Sequence, residues 1–171
     1  LNDVADTVSK KLIFRHPHVF GDIEVGGSDE VLVNWEELKR QEKGQATHGD
    51  ALDSVARSLP AMWRAEKIQA KARKAGFDWP SVDGAMDKLE EELRELHTAI
   101  REGSNTQEEL GDLLFAAVNV ARFLALDPEE ALHQASDKFT QRFCKVEEAA
   151  AAQGRAMGEM SLAQLDELWD A

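Results

Sequence analysis

Leu89, Leu93, Leu96 and Ile100 recur three or four residues apart, and after a polar break at 101–105 the rhythm resumes with Leu110, Leu113, Leu114, Ala117, Val118 and Ala121. That period puts the apolar residues on one stripe of an α-helix. It predicts a helical hairpin, with helices over roughly 83–101 and 106–126 and their core faces along those two stripes. The polar positions are ordered as well. Glu92 and Glu95 are three residues apart on the first helix; on the second, Glu109 and Asp112 are three apart and Asn119 follows Asp112 by seven. In an antiparallel hairpin, residues equally far from the turn meet, so Glu92 stands level with Asp112 and Glu95 with Glu109. Four carboxylates then gather in one place. Like charges repel, and a fold that collects them needs a counter-charge.

The same signals extend the helical reading over the chain. Residues 2–15 form a helix that stops at His16-Pro17, because a residue before proline avoids the α region. Ser28 caps a helix closed by Gly44, and Ser58 opens another with Pro60 in its first turn and Gly76 as its stop. Asn105 and Glu108 have capping-box spacing. Asp127-Pro128-Glu129-Glu130 starts a helix running to about Ala152, and Ser161 with Gln164 starts a last short one. Tyr is absent and Pro scarce, while Ala, Leu, Glu, Asp and Lys are abundant. The fold class expected is all-α, with a four-helix-bundle-like principal domain. Laid 127 residues apart, Ser9, Lys11, Leu12 and Arg15 match Ser136, Lys138, Phe139 and Arg142, a short internal repeat. On that repeat, residues 1–45 read as the tail of a preceding copy plus a connecting helix, 46–57 as a linker and 58–171 as the principal domain. A chain that opens on Leu1 inside a helix reads as a fragment.

Charge and composition narrow the partners. A net charge of −13 argues against a broad nucleic-acid surface, which needs a basic stripe. No apolar run is long enough to cross a bilayer and no signal-sequence pattern opens the chain, so no membrane partner and a cytoplasmic location are expected. Cys144, the single cysteine, has no partner for a disulfide or a metal knuckle and reads as a packing residue in a reducing compartment.

An acidic, solvated helix face is the ordinary explanation of a Glu-rich run. Two features separate this one from that default: the level pairing across the turn, and the absence of lysine between Lys88 and Lys138. A spacing of three moves about 4.5 Å along a helix, which suits oxygen ligands of one small ion. Hard oxygen ligands without sulfur or paired imidazoles point to Mg²⁺ or Mn²⁺, and Mg²⁺ usually shares itself with substrate phosphates.

At this point the residues carry a resemblance. Glu91-Glu92-x-x-Glu95 followed by Glu109-x-x-Asp112, within EELGDLLFAAVNVAR, resembles the MazG-type nucleoside triphosphate pyrophosphohydrolases, an α-helical family. RHPHVFGD at 15–22, NWEELKRQEK at 34–43, RSLPAMWRAEKIQ at 57–69 and GFDW at 76–79 resemble pieces of its two-domain bacterial members. The resemblance implies Mg²⁺-dependent hydrolysis of a nucleoside triphosphate to the monophosphate and pyrophosphate, in a homodimer, as housekeeping of the nucleotide pool. It further implies that Glu92, Glu95, Glu109 and Asp112 bind metal and that Glu91 orients or deprotonates the attacking water. Lys138 and Arg142 match the cations that hold phosphate, and Lys88, four residues before Glu92, joins them. Trp169 matches a position that stacks on the base. Asn119 contacts substrate or makes a polar helix contact, and Trp79 is either a second aromatic ligand or an anchor of the helix turn.

Other patterns weigh less. His16-Pro17-His18 is a helix stop rather than a metal site. Glu130-x-x-His133 occurs once, whereas di-iron helical proteins use such a pair twice. Lys67, Lys71, Arg73 and Lys74 form a modest basic face. The competing function is a catalytically silent helical dimerisation or interaction module.

Overall fold

The computed structural model describes residues 2–15, 17–20, 38, 44 and 46–170, and their regular structure is helical with no strand among them. The chain divides into two units, 1–57 with 67–78, and 58–66 with 79–171. The helix expected over 28–43 falls, apart from Leu38, outside the described residues.

In the first unit, α1 (Asn2–Arg15) ends where expected, and Pro17 opens a further turn, α2 (Pro17–Phe20), since proline fits a helix start as readily as it stops the helix before it. The stretch read as a linker contains a short helix, α3 (His48–Asp53). It lacks an apolar period but has a full capping box. The Asp50 amide donates to Thr47 Oγ1 at 3.1 Å and the Thr47 amide to Asp50 Oδ2 at 2.8 Å. Helix α4 (Ala61–Lys74), whose residues are divided between the two units, begins just after Pro60, so Ser58 and Pro60, expected to open it and to sit in its first turn, both precede it; the chain turns away through Gly76 at φ +87°, a conformation open to glycine.

The second unit holds the hairpin. Helix α5 (Val82–Glu102) starts at Ser81, whose hydroxyl accepts from the Asp83 amide, and ends at Gly103 with φ +69°. Helix α6 (Thr106–Phe123) follows after a short turn. The capping box expected of Asn105 and Glu108 does not form: Asn105 takes a left-handed conformation, φ +51°, and its side chain makes no cap bond. A side-chain cap needs extended backbone at that position. The turn between two closely packed helices uses Asn105 for its tolerance of the left-handed region instead.

Helix α7 (Pro128–Ala152) is capped by Asp127, whose Oδ1 accepts from the amides of Glu129 and Glu130 and from the Trp63 indole N–H at 2.9 Å. A 3₁₀ turn (Met157–Glu159) leads to α8 (Leu162–Asp170). There the expected start does form, with the Ser161 amide donating to Gln164 Oε1 and the Gln164 amide to Ser161 Oγ.

The buried seam differs from the predicted stripes. The buried residues of α5 and α6 are Ala85, Glu92 and Ala99, and Ala116, Val118 and Asn119. Leu93, Ile100, Leu110 and Leu114, expected in the core, are 43–59% exposed. Small side chains let the two helices approach closely. Of the expected stripes Val118 is buried and Leu89, Leu96 and Leu113 are half-buried, while the four exposed apolar residues lie on the flanks. No described helix is long and apolar enough to cross a membrane.

Candidate metal and nucleotide site

Two helices supply the site, and the tight turn at 103–105 sets their register. Carboxylate oxygens of Glu92, Glu109 and Asp112 lie within 4.8 Å of one another. Glu92 is 6% exposed, Glu109 is half-buried and Asp112 is exposed, so the group has a dry floor and an open rim. Glu92 Oε2 is buried without a hydrogen-bond partner. A buried carboxylate oxygen left unpaired is costly, and a cation is the natural remedy. The donors fit a hard divalent ion: they are all carboxylate oxygens, with no thiolate or imidazole in the group.

The electrostatics agree. Partial burial pushes the Glu109 carboxyl above the ordinary glutamate value, and the charges of Glu95, Asp112, Glu108 and Glu92 push it further the same way. Glu95 stands outside the three-residue group, but its charge is felt by Glu109, and both line a groove of about 700 Å³ that also takes in Glu91, Arg94 and Asn105. The open rim thus continues into a cleft of a size that small-molecule ligands occupy.

Lys88 lies directly on the acids. Its Nζ is 2.6 Å from Glu92 Oε1 and 2.9 Å from Glu91 Oε1. These contacts, Glu92 foremost, hold the ammonium well above the usual lysine range. Glu91 itself is exposed.

The remaining predicted residues sit elsewhere in the second unit. Asn119 is buried, and its Oδ1 accepts two bonds from Arg122, from Nε at 2.9 Å and Nη2 at 2.7 Å. An arginine only donates, so this fork fixes which end of the amide is which. Arg122 was not anticipated, although its spacing of three from Asn119 is the available signal. Lys138 and Arg142 are on an exposed face of α7, and neither forms an ion pair with the acids among the described residues. Instead, the Arg142 guanidinium lies 5.5 Å from the Trp169 ring centroid, and Phe139 lies 5.2 Å from the same ring. Trp79 packs on Gly84 of α5, where a Cβ would stand 2.7 Å from its Cγ; this favours the anchor over the ligand.

Comparison with known proteins completes the description. Residues 81–146 match the family model for the MazG nucleotide pyrophosphohydrolase domain, a span that holds the whole hairpin and most of α7. The chain is 43% identical over 172 residues to the nucleoside triphosphate pyrophosphohydrolase of Escherichia coli strain K12, covering 98% of this chain and 65% of that protein. It is 43% identical over 170 residues to the nucleoside triphosphate pyrophosphohydrolase/pyrophosphatase MazG of Thermotoga maritima, covering 99% of this chain and 64% of the other. A nucleoside triphosphate pyrophosphohydrolase of Mycolicibacterium smegmatis is 30% identical over 115 residues, covering 64% of this chain and 35% of the other. The chain therefore spans a little under two thirds of the length of the Escherichia coli and Thermotoga maritima relatives. The acidic hairpin and the family match fall on the same residues, and residues 81–146 thus form a MazG nucleotide pyrophosphohydrolase domain.

Proposed function

We propose that this chain hydrolyses nucleoside triphosphates to the monophosphate and pyrophosphate, with a divalent cation, Mg²⁺ or Mn²⁺, held by Glu92, Glu95, Glu109 and Asp112. The observation that carries the proposal is the three-carboxylate group with the buried, unpartnered Glu92 Oε2 at its floor. The Escherichia coli and Thermotoga maritima relatives, both nucleoside triphosphate pyrophosphohydrolases, support the substrate class.

In the reaction, a water oxygen bonds to the α-phosphorus, the bond from that phosphorus to the bridging oxygen of the β-phosphate breaks, and pyrophosphate leaves. When bound, the divalent ion supplies positive charge for the α-phosphoryl oxygens and for the departing pyrophosphate. Glu91, exposed beside the group, orients the attacking water and takes its proton. Lys138 and Arg142 bind the phosphate oxygens, joined by Lys88. Asn119 donates from its amide N–H to a substrate acceptor, since Arg122 already occupies its oxygen. Trp169 offers its ring to the base, as any planar base permits. The work belongs to the nucleotide pool of the cytoplasm, with neither nucleic acid nor membrane as partner.

Two chains form the working unit. Met86, Leu93 and Ile100 are seven residues apart on α5 and 40–59% exposed, and Leu132, Phe139 and Phe143 of α7 are exposed too. Apolar surface on this scale is what a second copy covers.

The test is thermal melting and turnover of the parent chain beside Glu92→Ala and Asp112→Ala, with and without Mg²⁺ plus nucleotide. The parent should be stabilised and active, and each variant should lose about a thousandfold in rate while staying folded. A silent helical interaction module would show no response to metal and nucleotide in any of the three proteins.

A further inference from the structure

The Lys88 contacts do more than supply one more phosphate ligand. We infer that Lys88 is the internal counter-ion of the metal-free site, and that a divalent cation displaces its ammonium from Glu92 and thereby also releases Glu91. This rests on the reading of Glu92, Glu109 and Asp112 as the metal site. Four observations lead to it. The ammonium bridges Glu92 Oε1 and Glu91 Oε1 at 2.6 and 2.9 Å, so one cation neutralises the buried ligand and the neighbouring acid together. Glu92 is buried while its other oxygen has no partner, so the ammonium satisfies only half of the carboxylate. The Lys88 side chain is 36% exposed and so has a path out to solvent, whereas that of Glu92 is only 7% exposed. Lastly, the spacing of three and four along α5 places Lys88, Glu91 and Glu92 on one face, so the exchange needs side-chain rotation only.

Charge gives the exchange its direction. Glu91, Glu92, Glu109 and Asp112 carry four negative charges against the single charge of Lys88, and a divalent ion corrects this better than an ammonium does. An ion on Glu92 and an ammonium on the same carboxylate would be two positive charges a few ångströms apart with little water between them, which is unfavourable. The metal-free chain thus avoids an unpaired buried carboxylate, and its metal affinity is lower for it. Loading the ion frees Glu91 to meet water and frees the ammonium to meet an anionic substrate, so the site becomes reactive only once it is charged with metal.

The test is Mn²⁺ binding alone, read by the electron paramagnetic resonance of the free ion, for the 171-residue chain, Lys88→Met and Arg94→Met. Arg94 is the charge-matched control: it lies on the same helix and its Nε donates to the Glu90 carbonyl rather than to the carboxylate group. Lys88→Met should tighten Mn²⁺ by about tenfold more than Arg94→Met does, the effect expected of one charge acting at contact distance. Equal tightening in both variants, or weaker binding in Lys88→Met, overturns the inference while leaving the metal site standing. No Mn²⁺ binding by the parent chain overturns the metal reading itself, and this inference with it. Because Lys88→Met strips a buried carboxylate of its partner and can unfold the chain, the unaltered chain gives a second reading. Acetylation of Lys88, measured by peptide mass against Lys67 and Lys138, should rise when Mg²⁺ is added, and an unchanged or lower yield contradicts the exchange.

Discussion

Glu109 carries an electrostatic cost in the folded chain. Its carboxyl is raised by partial burial first and by the surrounding acids second, so its ionised form is less favourable in the folded chain than in the unfolded one. For an acid raised in this way, the cost is fully present above the folded value and disappears as the pH falls below the ordinary value of 4.5. With a chelator present, Glu109→Gln should therefore melt higher than the parent at neutral pH. The difference should vanish in acid, and the gain on adding Mg²⁺ should shrink in the variant. A variant less stable than the parent at neutral pH, metal-free, would contradict this account of the site. At this scale the grouping of Glu92, Glu109 and Asp112 was legible, because a spacing of three puts Glu109 and Asp112 on one face of α6 and the short turn brings Glu92 of α5 opposite them. What spacing could not show was the depth of each acid. Glu92 on α5 is buried and Asp112 on α6 is exposed although the two belong to one acidic group, and that depends on how closely the second helix approaches.

The hairpin owes its geometry to its ends and to small residues along its seam. Gly103 and Asn105, both left-handed, close the turn, and Ala85, Ala99 and Ala116 keep the helices near enough for acids on both to share one ion. Gly84 has a related part at the entry of α5, where the absence of a side chain lets Trp79 lie on the helix. Alanine is ordinarily the better helix residue by about 1 kcal/mol, yet overpacking costs about 1–3 kcal/mol, so the clash outweighs the propensity. Gly84→Ala should lower the melting temperature by roughly 2–4 °C, and a rise would mean that Trp79 is not anchored there. The helix boundaries from α5 onward were legible to within about one turn because proline, glycine and capping side chains act locally. Two readings failed for non-local reasons. The Asn105–Glu108 box gave way to the turn geometry, and Leu93, Ile100, Leu110 and Leu114 of the apolar stripes proved to be flanks, since periodicity shows that residues share a face without showing what covers it. The Trp63–Asp127 bond, 64 residues apart in sequence, carries no sequence signal at all.

Across the whole molecule, the distribution of groups points beyond one chain. The acids are gathered on α5 and α6, while the proposed phosphate cations Lys138 and Arg142 and the proposed base-stacking Trp169 form a separate cluster on α7 and α8. No large side chain is fully buried among the described residues. The proposed second copy, lying on the apolar flanks, would cover the leucines and bring one chain's cations toward acids. Light scattering should give twice the 19.0 kDa chain mass, and Leu93→Glu with Ile100→Glu should give the single mass with helicity retained. A parent chain that is monomeric would remove the dimer from the account. The central claim is attack by water at the α-phosphorus under control of the acidic hairpin. Its most direct test is phosphorus NMR of the products formed from a nucleoside triphosphate and Mg²⁺ in ¹⁸O-labelled water, for the parent chain and Glu92→Ala. The account predicts monophosphate carrying the label and unlabelled pyrophosphate from the parent, with neither from the variant. Label in inorganic phosphate or pyrophosphate, or equal turnover by Glu92→Ala, would contradict it.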